Sequence, residues 1–315
     1  MQLEGIHHIT AITGDAPANV EFYVGVLGLR MVKKTVNQDD PTVYHLFYGD
    51  ERGDPGADLT FFEYPGVTKG RAGAGMVHTI GWRVGSAETL DFWEQRLAGE
   101  GVAAERTERN GDGEGLTFSD PEGLRHELTV YEGDQPPLTA SAPDIPDEHL
   151  LQGFDGVRAY ADDPARSAEL LAETLGFERT DSEAGWIVGG SRRSSYYVYD
   201  APPAELGIQG AGSVHHVAFA TYPDDQEAWQ RRMVEAGAHA TPVIDRFYFK
   251  SIYFREPSGV LFELATMGPG FTADEPLEEL GRHLSLPPDY EHLRERLAGV
   301  LTPLPDPRTA RARQV

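Results

Sequence analysis

The chain has no cysteine among its 315 residues, so neither disulfides nor thiolate metal sites contribute to it. No stretch approaches the ~18 uninterrupted apolar residues that a membrane span requires. The opening Met1-Gln2-Leu3-Glu4-Gly5-Ile6 lacks the basic and apolar regions of a secretory signal. A cytoplasmic globular protein is expected. Cations are scarce: 27 Lys plus Arg face 51 Asp plus Glu, a formal charge of -24, and only Lys33, Lys34, Lys69 and Lys250 are lysines. Such charge repels phosphate backbones and anionic lipid heads, which argues against nucleic acid or membrane as the main partner. The acidic, lysine-poor composition suits a halophilic cytoplasm, and equally a GC-rich genome that favours arginine. At 40% hydrophobic and 10% aromatic the chain is neither disordered nor fibrous. Its length corresponds to about two domains.

What is present is a repeat. Four β-prone runs (5–10, 76–82, 154–160 and 214–219) are each followed by a helical pattern. The helices start near Asp15, Ser86, Asp163-Pro164 and Asp224 and are expected to stop at Gly28, Gly99, Gly176 and Gly237. Counted from His8, His78, Gly156 and His216, those glycines lie 20, 21, 20 and 21 residues on. Alternating and aromatic runs follow, such as Thr42–Tyr48 and Phe247–Phe254, so the unit is β-α-β-β-β. The predicted fold class is α+β, with four such modules forming two domains of cupped mixed sheet.

The closing strands of modules two and four match best. Asp120-Pro121-Glu122-Gly123 precedes Glu127, and Glu256-Pro257-Ser258-Gly259 precedes Glu263. Module one offers either Thr60 or Asp58 at that place, and module three ends in Tyr196-Tyr197-Val198-Tyr199 with no carboxylate. The proline-rich stretch 134–146 separates modules one and two (1–135) from modules three and four (150–270). A tail over 271–315 is expected to add short helices at 277–284 and 290–301, for packing, before a basic end at Arg308 to Val315.

A histidine near the start of one strand and a glutamate 47 to 49 residues later recur at 216 and 263, and at 78 and 127. Two imidazoles and one carboxylate can hold a divalent metal and leave positions open for substrate and oxygen. Two sets satisfy this: His8, His216 and Glu263 if module one pairs with four, or His8, His78 and Glu127 if it pairs with two.

These features resemble the vicinal oxygen chelate superfamily. The Gly5-Ile6-His7-His8-Ile9-Thr10 opening, the Tyr44–Tyr48 strand and Val260–Glu263 followed by Gly270-Phe271-Thr272 resemble, more narrowly, its ring-cleaving dioxygenases that act on hydroquinones. The resemblance implies extradiol-type cleavage of a hydroquinone or catechol by O2, at Fe(II) or Mn(II) held by His8, His216 and Glu263. It therefore favours pairing one with four. It also implies Tyr253, Arg246 and His7 as catalytic neighbours of the metal. In a regular strand, His7 points away from His8. A second metal site at His78 and Glu127 is not expected, those two being read as a remnant that hydrogen-bond each other. A small aromatic substrate and O2 are the implied partners, with self-association as a homo-oligomer left open. The rivals are a glyoxalase-like isomerase, which needs a fourth ligand at Thr60 or Asp58, and a metal-free binding protein of the bleomycin-resistance kind.

Overall fold

The computed structural model describes residues 1–109, 113–181, 184–304 and 306. Module one is β1 (Ile6–Thr13), a helical stretch over 16–26, β2 (Arg30–Val36), β3 (Tyr44–Gly49) and β4 (Asp58–Glu63). Module two is β5 (Met76–Val84), the helix Ala87–Gly99, β6 (Ala104–Arg109), β7 (Gly113–Ser119) and β8 (Arg125–Val130). Module three carries β9 (Phe154–Tyr160), β10 (Glu178–Arg179), β11 (Gly185–Gly189) and β12 (Ser194–Asp200). Module four carries β13 (Val214–Thr221), the helix Gln226–Glu235, β14 (Ile244–Asp245), β15 (Lys250–Arg255) and β16 (Leu261–Thr266).

The modules do not pair in chain order. One eight-stranded mixed sheet runs β14-β15-β16-β13-β1-β4-β3-β2 and joins module four to module one; the other runs β10-β11-β12-β9-β5-β8-β7-β6 and joins three to two. In each, two parallel pairs, β1 with β4 and β13 with β16 in the first, meet at one central antiparallel seam. Chain neighbours instead touch across sheets through buried polar links. Tyr23 of module one donates to Asp120 in the turn of module two (3.0 Å), and Tyr199 of module three donates to Glu256 in the turn of module four (2.9 Å).

Local signals set the helix ends. Asp15, Ser86 and Asp163 each accept a backbone N–H from the first turn. Gly28, Gly176 and Gly237 adopt the left-handed conformation that ends a helix, with φ of 72°, 73° and 78°. Module two departs from the expected stop: its helix includes Gly99, and the left-handed residue is Gly101. The aromatic run 247–254 is also only partly strand. Phe247 has φ of 68° in a tight turn, and β15 starts at Lys250. In the tail, the stretch expected as a helix over 277–284 is a single 3-10 turn, Leu277–Glu279, ended by Leu280 in extended backbone and Gly281 at φ 75°. The second is a 3-10 turn Pro288–Leu293 running into a short α-helix, Arg294–Leu297. The basic end from Arg308 to Val315 lies outside the described residues.

Candidate metal centre

Every module has a β-bulge at the same point of its first strand. The pairing of β1 with β13 steps from Ile6 to His8 and, at the other end, from His216 to Val214, so His7 and His215 are the extra residues. In the second sheet it steps from Val77 to Thr79 and from Gly156 to Phe154, which leaves out His78 and Asp155. A bulge re-aims side chains. Here it brings the rings of His7 and His8 to 5.1 Å, which is why His7 does not turn away as a regular strand would make it.

The bulges also align the modules. His8, Thr79, Gly156 and His216 are equivalent, and two residues further on the parallel partners are Thr60, Glu127, Val198 and Glu263. The first sheet thus presents His8, His216 and Glu263, with Thr60 in the fourth place; Asp58 pairs two residues earlier, alongside His8. The second sheet presents Thr79, Gly156, Glu127 and Val198, and the Tyr196 ring lies so close over Gly156 that a Cβ there would meet it at 2.4 Å. His78 is a counterpart of His7 rather than of His8. Its Nε2 bonds Asp200 at 2.9 Å and its ring stacks on Tyr160, so the expected His78–Glu127 hydrogen bond gives way to a bond with Asp200.

His8, His216 and Glu263 are at most 4% exposed, and their donor atoms lie within 4.8 Å of one another; among the described residues no other such group occurs. His8 Nε2 is 3.2 Å and His216 Nε2 2.9 Å from Glu263 Oε2, and the two ring nitrogens are 3.3 Å apart. Ligands at ~2.1 Å from an octahedral ion stand roughly 3.0 Å apart when adjacent, so this triangle matches one face of such an ion.

Protonation supports the same reading. His7 Nε2 contacts the Thr266 carbonyl at 3.2 Å, and since a carbonyl only accepts, that nitrogen carries the proton. Burial above all, aided by His8, holds the His7 pKa down to about 3, so the ring is neutral and its Nδ1 accepts from His8 Nδ1 at 3.0 Å. His8 Nε2 is thereby the nitrogen left facing Glu263 and the place a cation would take. His215 and His216 repeat the Nδ1 contact at 2.7 Å. Burial alone would raise the Glu263 carboxyl, but its favourable contacts with His8 and His216 hold it well below the usual carboxylate range, a role that a bound cation would take over. Electron-rich atoms converging in a buried place suit a cation.

The triad opens on a cavity of about 470 Å³. Phe47, Phe62 and Phe249 line it with His45, whose ring packs 4.0 Å and 4.4 Å from those of Phe47 and Phe62. On the other side the Tyr253 ring stands 5.7 Å from that of His216. Burial and the Glu263 charge push the Tyr253 hydroxyl up, so it remains a proton donor. Arg246 lies 5.4 Å from the Tyr253 ring centre and is held by Asp39 through two bonds of 3.0 Å and 2.9 Å. His7 lines a separate cavity of about 480 Å³ instead, beyond Phe249. Sequence reasoning missed Ser251 and His45, because one serine or histidine inside a strand carries no pattern. The doubled histidines at 7–8 and 215–216 were the available signal for His215.

A family model described as the Glyoxalase/Bleomycin resistance protein/Dioxygenase superfamily matches residues 5–128 and 153–264, the same four modules. The chain belongs to that superfamily. Within the superfamily its full-length relatives are named as ring-cleaving dioxygenases. It is 39% identical over 315 residues to the "Putative ring-cleaving dioxygenase MhqA" of Bacillus subtilis, covering 96% of this chain and 100% of that one. It is 32% identical over 310 residues to the "Chlorohydroquinone/hydroquinone 1,2-dioxygenase" of Sphingobium indicum, covering 94% and 95%. A crystal structure of a "putative dioxygenase" from Bacillus subtilis superposes with a TM-score of 0.91 at 39% identity, over 96% of this chain and 98% of that one.

Proposed function

We propose that this superfamily member is an extradiol-type dioxygenase that opens a hydroquinone or catechol ring with O2 at Fe(II), Mn(II) being the second candidate ion. The observation that carries the proposal is the facial triangle of His8 Nε2, His216 Nε2 and Glu263 Oε2 with a threonine, Thr60, in the fourth place. Three protein ligands leave adjacent positions for a substrate oxygen and for dioxygen, as in two-histidine, one-carboxylate oxygenases. The relative from Sphingobium indicum, named for hydroquinones, supports that substrate class.

The bound ion would supply stabilisation of the phenolate and a path for electrons from ring to oxygen. The protein's side chains do the rest. Phe47, Phe62 and Phe249 provide flat apolar walls that align an aromatic ring and limit water. Tyr253, protonated beside Glu263, donates a hydrogen bond or a proton at the open side of the triad. Arg246, braced by Asp39, fixes the Tyr253 ring from above. His7 acts through His8, keeping its Nε2 lone pair on the ligand side. A four-ligand isomerase is disfavoured because the residue of module one in register with Glu263 is Thr60, Asp58 pairing two residues earlier. The acidic surface suits a cytoplasm rich in salt, which unfolding across a salt series tests.

The test of the function is oxygen uptake by anaerobically Fe(II)-loaded protein given hydroquinones and catechols, with 18O2 incorporation followed in the product. Stoichiometric uptake with both oxygen atoms in a ring-opened acid is expected. No uptake with any member of the panel contradicts the proposal.

A further inference from the structure

Glu263 has two chemically equivalent oxygens, and the torsion that exchanges them is soft. Something must decide which one meets the histidines. Ser251 is fully buried, and its hydroxyl donates to Glu263 Oε1 at 2.5 Å, while Oε2 lies against His8 and His216. The two side chains are diagonal neighbours across β15 and β16, since Ser251 pairs with Ala265 and Tyr253 pairs with Glu263.

The same diagonal recurs in module one. His45 pairs with Phe62 on the neighbouring strand and reaches back to Thr60, Nε2 to Oγ1 at 2.9 Å. Thr60 is the counterpart of Glu263 and His45 the counterpart of Ser251. In both halves of the sheet, a residue on the third strand of the module thus holds the side chain at the fourth ligand place. The bond from Ser251 is a feature of the module's architecture and not an accident of one rotamer.

From this we infer that Ser251 is a positioning residue that makes Glu263 a single-oxygen ligand. It occupies Oε1, presents Oε2 to the ion, and keeps the carboxylate from taking two of the positions that substrate and dioxygen need. The inference rests on the metal-site reading above. Partners of metal ligands in this role typically govern affinity by ~10- to 100-fold.

The experiment titrates Mn(II) into metal-free protein and follows free and bound ion by electron paramagnetic resonance. It compares wild type with Ser251→Ala, Ser251→Cys and Ser251→Thr, and each fold is checked by thermal melting of the metal-free protein. Ser251→Ala is expected to weaken Mn(II) binding by ~10- to 100-fold and to change the spectrum of the bound ion, with the metal-free protein still melting in one cooperative transition, lowered by the orphaned Glu263 oxygen. Ser251→Thr, which keeps the hydroxyl, restores both. Ser251→Cys keeps the volume with a much weaker donor, so it is expected to bind weakly and answers the question if the alanine variant does not fold. Wild-type affinity and spectrum in the folded alanine or cysteine variant overturns the inference while leaving the metal site intact. A wild-type protein that binds no Mn(II) overturns both.

Discussion

Thr60 and Glu263 occupy equivalent places in the two halves of one sheet: Thr60 pairs with Thr10, two residues after His8, and Glu263 pairs with Ala218, two residues after His216. Thr60 donates or accepts within a chain to Thr10 (2.8 Å) and His45 (2.9 Å), so its hydroxyl is engaged by the protein. One half-site supplies the carboxylate, and the other leaves room. Thr60→Glu should therefore retain or tighten metal binding while suppressing ring cleavage, because the new carboxylate fills a position that substrate needs. Parallel metal titration and oxygen uptake check this; cleavage at the wild-type rate would mean that the place opposite Glu263 is not part of the coordination sphere.

Tyr253→Phe keeps the ring's packing and removes its hydroxyl. If Tyr253 handles a proton in the chemistry, turnover falls by ~10²-fold with metal content unchanged. Turnover equal to wild type would reduce Tyr253 to a packing residue.

His7 touches the triad through His8 and packs on Phe249. His7→Phe preserves an aromatic ring beside Phe249 but removes the acceptor for His8 Nδ1. Metal affinity is expected to drop by ~10-fold or more, measured by competition with a chelator, and unchanged affinity would remove the proposed orienting role.

A second buried network joins modules one and two. Trp82 donates to His126 Nδ1 at 3.1 Å, His126 Nε2 meets the Tyr23 hydroxyl at 3.0 Å, and Tyr23 donates to Asp120. Burial, outweighing its hydrogen bonds, raises the Asp120 pKa from 3.8 to about 6. A carboxyl raised in the folded state favours folding below its unfolded pKa, and that contribution is lost as pH rises through about 6. Asp120→Asn, which cannot ionise, should gain about 2 kcal/mol relative to wild type between pH 4.5 and 7.5, at ~1.4 kcal/mol per pKa unit. Denaturant unfolding across that range checks the sign. Asp50, also raised to about 6, contributes to both proteins and cancels in the difference.

Much of the architecture was legible because it rests on local signals. The helix caps at Asp15, Ser86 and Asp163 and the glycines at 28, 176 and 237 speak through nearest neighbours. The pairing of modules, by contrast, depends on contacts more than 200 residues apart, such as His8 with Ala218. No periodicity encodes that, and the choice of module four for module one followed from family resemblance. The bulges were equally invisible. Without them His78 aligned with His8 by simple counting, whereas the fold matches it to His7 and gives the ligand place to Thr79. The turn at Phe247 was hidden because an aromatic run reads as strand, although a positive φ ends β-structure there.

In the proposed site, modules one and four together build the metal centre. Glu263→Ala and Glu127→Ala remove carboxylates from equivalent places in the two sheets, and equilibrium binding of Fe(II) or Mn(II) to each, under anaerobic conditions, is the most direct measurement. Glu263→Ala is expected to lose tight binding of one ion per chain, while Glu127→Ala keeps it and gives up at most the ~1–3 kcal/mol of stability that follows from orphaning a buried hydrogen-bond partner. Loss of the ion in Glu127→Ala with retention in Glu263→Ala would contradict the triad, its tyrosine and arginine neighbours, and the role assigned to Ser251.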